Sequence, residues 1–230
     1  MAAAPHTLLL GVVGSTAYGL TRPGSDIDRL GVFAAPTIDL VGLERPTESV
    51  VTTAPDRTLH EAAKAVRLLL SGNPTATEIL WLPDDLYEVR TRLGEDLIAI
   101  RSAFLCAPRV RSAYLGYAVQ QFQRLSDRGD GSFSSDTCRR TAKHARHLAR
   151  LLHQGLELYR SGHLQVRVAD PQALHDFGDQ VADGDVDAAR ELLARTEAAF
   201  DAARSPLPDQ PDRAAAEAWL RSVRIAHWEA

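Results

Sequence analysis

Thr7 to Val13 reads TLLLGVV, an unbroken apolar run that stops at Gly14-Ser15. Without polar alternation, such a run suits a strand buried on both faces. A strand of that kind needs partners beside it and cover above and below, so the chain is committed to a layered structure with a sheet inside. Ten residues after Ser15, Ser25-Asp26-Ile27-Asp28 leads into a second apolar stretch, IDRLGVFAA (Ile27–Ala35). TRPGSD between them is turn chemistry, with Pro23 and Gly24 adjacent. ESVVTT (Glu48–Thr53) reads as a third strand.

From Thr58 the texture becomes helical. TLHEAAKAVRLLLSG has Thr58 as N-cap and Glu61 three residues on, the pattern of a capping box, and Gly72 as the stop. On that helix His60 and Lys64, at i and i+4, would share a face. Asn73-Pro74 opens a further helix with Pro in its first turn. More helices are expected near 95–105, 109–127, 136–161, 171–181, 185–203 and 211–227, with a flexible loop over 127–136. The fold class implied is α+β: a small mixed sheet with flanking helices, followed by a C-terminal helical bundle. The boundary falls near Pro108, giving domains of 1–107 and 108–230.

The 230 residues suffice for a real hydrophobic core, and 45% apolar with 24% charged residues is ordinary globular composition. A net charge of −4 excludes a surface that grips nucleic acid all over. Cys106 and Cys138 lack metal-ligand spacing and the density of a disulfide scaffold, which points to reduced thiols and a cytoplasmic protein. HTLLLGVV is too short for a signal-peptide core, and no run approaches the ~18 apolar residues of a membrane span.

Gly14-Ser15 and Asp26-x-Asp28 make chemical sense together. A glycine lets backbone N–H groups approach phosphate oxygens, Ser15 adds a hydroxyl donor, and a helix starting there would favour an anion. Asp26 and Asp28, at i and i+2 on a strand, would put two carboxylates on one face with Ile27 turned to the core. Carboxylates are the hard ligands magnesium prefers, and two ions can clamp the charge that develops in phosphoryl chemistry.

GSTAYGL…SDIDRLGVF resembles the signature of the DNA polymerase β-type nucleotidyltransferase superfamily. It is most similar to the stand-alone bacterial predicted nucleotidyltransferases, whose pattern runs Gly-Ser-x-Ala-Tyr-Gly-Leu, Ser-Asp-x-Asp, Gly-Val-Phe. DRTLHEAAK resembles the same family's Asp-x3-His/Tyr-Glu-x2-Lys segment, GNPTATEIL its Gly-Asn-Pro stretch followed by Glu-x-Leu, and KHARHLAR its Lys-x3-His-x2-Arg helix. The likeness runs to about residue 210. One departure is that relatives often carry Arg just before the glycine of Gly-Val-Phe; here Leu30 stands there and Arg29 one place earlier.

The resemblance implies a polymerase β-like nucleotidyltransferase core, with Mg²⁺ (two ions, Mn²⁺ as an alternative) held by Asp26, Asp28 and a third carboxylate. Asp56, after the third strand, is the choice for that third ligand and for taking the acceptor's proton; Glu61 is the runner-up. Gly14, Ser15, Ser25 and Lys64 are expected at the nucleotide. Lys143, His147 and Arg150 join them from a basic arc that runs from Arg139 to His153 at helical spacing. The reaction implied moves AMP from ATP to an acceptor hydroxyl with release of pyrophosphate. An RNA 3′ end, a protein side chain and a small molecule such as an aminoglycoside are the acceptor classes; a non-catalytic nucleotide- or RNA-binding module and a helical interaction domain are the competing readings.

Overall fold

The computed structural model describes residues 6–22, 24–43, 45–126 and 135–229. By contacts the chain divides into two compact units, one running to Leu105 and resuming at Gln210, the other spanning Cys106–Asp209.

The first unit is built on five strands: β1 (His6–Val13), β2 (Asp28–Ala34), β3 (Ser49–Thr53), β4 (Asp56–Glu61) and β5 (Tyr87–Arg90), in the order β3-β4-β2-β1-β5. β2 and β4 are parallel and the other pairs antiparallel, so the sheet is mixed, as the family resemblance implies. β1 is paired on both sides, which explains its continuous apolar character: Leu8 and Leu9 are buried to 2% and 0% exposure. Leu10, Phe33, Ala35 and Leu59 form a core cluster on one face, with Leu40, Val50 and Val89 packed against it. Gly31 sits where β1, β2 and β4 press together. A Cβ there would lie 2.5 Å from Leu59 Cδ2 and 2.6 Å from the Leu9 carbonyl oxygen, so no larger residue fits.

Among the described residues five short α-helices belong to this unit before its helical return: α1 (Gly14–Tyr18), α2 (Thr37–Leu40), α3 (Ala62–Leu70), α4 (Pro74–Glu78) and α5 (Arg92–Ala99). The expected start of α3 requires correction. Thr58–Glu61 is not its first turn but the end of β4, and the helix begins at Ala62 with Glu61 as N-cap, its carboxylate accepting from Ala63 N at 2.8 Å. α3 buries Ala65, Val66 and Leu69 against the sheet, where Val and Leu side chains contribute about 1.5–3 kcal/mol each. Asn73 caps α4 as expected, accepting from Ala76 N at 3.0 Å with Pro74 behind it.

Helix α10 (Arg213–Ala226) packs with α3 and α5 and belongs to the first unit. Its apolar stripe explains the return. Trp219 and Val223 are buried, Trp219 Nε1 donates to the Leu93 carbonyl at 2.9 Å, and Arg224 Nη1 donates to Glu61 Oε1 at 2.6 Å.

Among the described residues the second unit has four helices: α6 (Ala107–Ser126), α7 (Ser135–Ser161), α8 (Pro171–Ala182) and α9 (Val186–Ala202). α7 lies against each of the other three. Leu148, Leu151, Leu152 and Leu158 on α7 are fully buried, and the Tyr159 and Phe200 rings meet edge to face at 5.2 Å. Residues 127–134 of the expected loop lie outside the described residues, as does Pro23 of the turn. Within each unit the chain ends of the junction are tied: Ala107 N donates to Pro208 O at 2.9 Å, and Asp212 N donates to Ala103 O at 2.8 Å. Among the described residues no helix is long and apolar enough to cross a membrane.

Candidate active site

β1 runs into α1 without a loop, and the junction is Gly14, with φ at +68°. Only glycine adopts that backbone without strain. It is also the only residue the space allows, because a Cβ on Gly14 would lie 2.3 Å from Asp28 Oδ2. The Asp28 carboxylate therefore rests against the backbone that starts α1. Ser15 follows in the first turn, and the chain leaves α1 through Gly19, with Leu20 N bonded back to the Ser15 carbonyl at 2.8 Å.

Asp28 opens β2 opposite Val13, the last residue of β1. Across the sheet, β2 and β4 are in parallel register with Arg29 against Arg57. One residue back, that register sets Asp28 beside Asp56, the first residue of β4. Two of the three candidate carboxylates thus open adjacent strands at the same end of the sheet, with Asp28 against Gly14 and Asp56 one strand further away. Asp26 is placed differently from the expectation. The strand begins only at Asp28, so Asp26 lies in the preceding loop, and Ile27, rather than pointing to the core, is 50% exposed. That loop is set by a turn in which Ser25 N donates to Arg22 O and Ser25 Oγ accepts from Arg22 N, each at 2.9 Å. Among the described residues, no three His, Cys, Asp or Glu side chains form a metal-binding group.

The structure separates Asp56 from Glu61 as candidates. Asp56 is exposed, whereas Glu61 is 4% exposed and engaged twice, capping α3 and pairing with Arg224. His60 and Lys64 do not share a helix, since His60 ends up on β4 and Lys64 on α3. They are nevertheless brought together by a residue that sequence reading missed: Ser49 Oγ lies 2.9 Å from His60 Nδ1 and accepts from Lys64 Nζ at 2.7 Å. Burial, then the Lys64 charge, lower the His60 pKa. Ser49 faces His60 across the β3–β4 ladder, a pairing no local pattern announces.

A second missed contact links two segments that carry the family resemblance. Tyr18 of Ala-Tyr-Gly-Leu donates its hydroxyl to Glu78 Oε2 at 2.6 Å, and Glu78, on α4, is 1% exposed. Both residues stood in the pattern, so the signal was present without its geometry. Arg29, the displaced arginine, is taken up by Glu88, with both carboxylate oxygens 2.8 Å from Nε, while Leu30 is core.

Lys143, His147 and Arg150 belong to the second unit, and the basic arc they define is not one solvated face. Lys143 is exposed, His147 is largely enclosed and Arg150 is 2% exposed. Arg150 Nη1 donates to Gln154 Oε1 at 2.6 Å, and Nη2 lies 3.0 Å from His147 Nδ1. Burial, then the Arg150 charge, push the His147 pKa down to about 3, so its ring is neutral and able to accept from the guanidinium. Arg146 faces Asp179 of α8 at 3.8 Å, and α8 packs on this side of α7 through Gly178, where a Cβ would lie 2.6 Å from Arg146 Cγ.

No curated protein matches the chain. A solved nucleotidyltransferase-like protein from Exiguobacterium sibiricum 255-15 is 16% identical, with 97% of this chain and 76% of that one covered, at a TM-score of 0.35. That likeness is too weak to bear on the site. The model of the RNA repair pathway DNA polymerase beta family matches residues 2–218. The chain belongs to that family, and is a nucleotidyltransferase of the polymerase β type.

Proposed function

We propose that the chain is a magnesium-dependent nucleotidyltransferase that moves AMP from ATP onto the 3′ hydroxyl of an RNA, releasing pyrophosphate. The supporting observation is the Asp28 carboxylate held against the Gly14 backbone, with Asp56 beside it on the next strand. A phosphate-approaching backbone and cation-binding carboxylates thus meet at one end of one sheet. The RNA acceptor is supported by the family's description as an RNA repair pathway family, and ATP enters as the donor the family resemblance implies.

Asp26, Asp28 and Asp56 would hold the divalent ions, magnesium first and manganese as the alternative, since carboxylate oxygens are the hard donors such ions take. When bound, the ions neutralise charge on the attacking and leaving oxygens. Gly14 and Ser15 present backbone N–H groups and a hydroxyl to the triphosphate, with Ser25 completing the phosphate contacts. Lys64, bonded to Ser49 opposite His60, lies towards the other end of β4 from Asp56 and away from them. Asp56 orients the acceptor hydroxyl and takes its proton. The freed oxygen attacks the α-phosphorus in line, and the bond to the pyrophosphate oxygen breaks. Positioning and charge neutralisation supply the acceleration. Lys143, exposed on α7, is available to backbone phosphates of an acceptor strand. The reaction is placed in the cytoplasm, a reading supported by Cys106 and Cys138, both free thiols.

The test is incubation of α-labelled ATP and Mg²⁺ with RNA, protein and aminoglycoside acceptors in parallel. Label should appear on RNA 3′ ends and fall by about a hundredfold or more in Asp28→Asn, the scale of losing one electrostatic group at a transfer centre. Label on protein or aminoglycoside alone overturns the RNA acceptor. No label on any acceptor, or undiminished label in Asp28→Asn, overturns the enzyme assignment to these residues.

A further inference from the structure

The second unit has an open cavity of about 540 Å³ between α7, α8, α9 and the segment that joins α7 to α8. Its size is that of small-molecule sites, and no residue lining it belongs to the first unit. Its floor is apolar: Leu174 and Phe177 from α8 and Leu192 from α9, at helical spacings that turn them inward. Beside that floor stand two exposed arginines, Arg167 from the joining segment and Arg195 from α9, while the Arg150 guanidinium is buried in the wall behind them. Glu157 and Glu191 also line it; Asp170 does too, but its carboxylate is engaged in capping α8, accepting from Ala173 N at 3.0 Å.

One wall is built by a chain of buried polar contacts. Gln154, 5% exposed, takes its oxygen to Arg150 and donates its amide to the carbonyls of Gln165 and Val166 at 3.0 and 2.9 Å. The buried Arg150–Gln154 pair thereby fixes the backbone that delivers Arg167 to the cavity. His153 of α7 and Arg195 of α9 line the same cavity, and partial burial, then the Arg195 charge, lower the His153 pKa.

The lining chemistry is tripartite and narrows the ligand. Guanidinium groups match phosphate oxygens in a bidentate fork. An inorganic phosphate would leave the Phe177 and Leu192 surface uncovered, and a fatty acid would have no use for two carboxylates beside its chain. A nucleotide uses every part: phosphate on the arginines, base on the apolar floor, ribose hydroxyls and base amines on Glu157 and Glu191. We propose that this cavity binds a nucleoside monophosphate unit, either free or at the phosphorylated end of an RNA strand.

The proposal does not depend on the transfer reaction, and the experiment keeps them apart. Isothermal titration calorimetry is run in EDTA on the full chain carrying Asp28→Asn, with AMP, GMP, CMP and UMP. The comparison ligands are adenosine, inorganic phosphate and a short single-stranded oligoribonucleotide with and without its terminal phosphate. The monophosphates should bind at a single site, with adenosine and inorganic phosphate each about tenfold weaker or more. Arg195→Glu and Arg167→Gln, both exposed positions that leave the core intact, should each weaken monophosphate binding about tenfold. A phosphorylated oligoribonucleotide that outcompetes the free nucleotide identifies the strand end as the source; the reverse order identifies the free nucleotide. Equal affinity in the parent and both arginine variants, or no binding of any monophosphate, overturns the proposal. Transfer lost in Asp28→Asn with monophosphate binding intact separates this site from the transfer centre.

Discussion

Gly14 has no side chain because Asp28 fills the space one would take. Gly14→Ala meets two penalties at once: a left-handed backbone costing about 1–2 kcal/mol for a residue with a Cβ, and a carboxylate that must be pushed away. Transfer should fall together with the melting temperature, measured on one preparation by pyrophosphate release and thermal unfolding. Asp56 and Glu61 predict opposite behaviour five residues apart. Asp56→Asn alters an exposed strand end, so transfer should drop with the melting temperature nearly unchanged. Glu61→Gln leaves Arg224 without its anion where the carboxylate is 5% and the guanidinium 19% exposed, a loss on the order of 3 kcal/mol. Urea unfolding reads that loss directly; if instead Asp56→Asn unfolds the chain and Glu61→Gln does not, the two roles have been assigned the wrong way round.

At the scale of elements, β4 shows where sequence reading stops. DRTLHE satisfies a capping box through Thr58 and Glu61, yet Leu59 and Glu61 are buried while Thr58 and His60 are only partly so, the alternation of a strand. Both periods were present in six residues, and pairing with β2 and β3 decided between them. β5 is four residues at a sheet edge, too short to show a period. The long helices, and Gly14 with Asp28, were legible because their signals are local or carried by a dense pattern. The Asp28–Asp56 adjacency was not, because it depends on the register of strands separated by α2 and β3. Likewise α7 displayed a basic arc whose inner part is covered by helices remote in sequence. Its neutral His147 makes a prediction. With the folded pKa about 3 and the unfolded value about 6.5, the unfolded chain takes up a proton between these limits that the folded chain refuses. The His147 contribution is therefore complete above the unfolded value and declines as pH falls toward the folded one. Relative to His147→Asn, the parent should lose about 2 kcal/mol between about pH 6.5 and about pH 5 in denaturant titrations. Parallel pH profiles in the two proteins would refute the neutral, buried imidazole.

For the molecule as a whole, the helical unit is an insertion in the chain of the first unit. The hydrogen bond from Asp212 N to the Ala103 carbonyl already brings together the two points where a replacement linker would attach. Deleting Cys106–Asp209 and joining Leu105 to Gln210 through a short Gly-Ser linker should leave a cooperatively unfolding core that keeps the tryptophan emission of a buried Trp219. Ending the chain at Asp209 should do the opposite, exposing Glu61 and the α3–α5 surface that α10 covers, and the product should aggregate or unfold early. The same connectivity sets a timetable on the ribosome. Domains generally fold in the order they are synthesised, yet the first unit, begun before the helical unit, gains α10 only after it. The contiguous helical unit can close while the first unit is still incomplete. The nascent chain therefore carries the α3 and α5 surfaces without their α10 cover while the helical unit is being made, and Arg213–Ala226 closes the first unit afterwards.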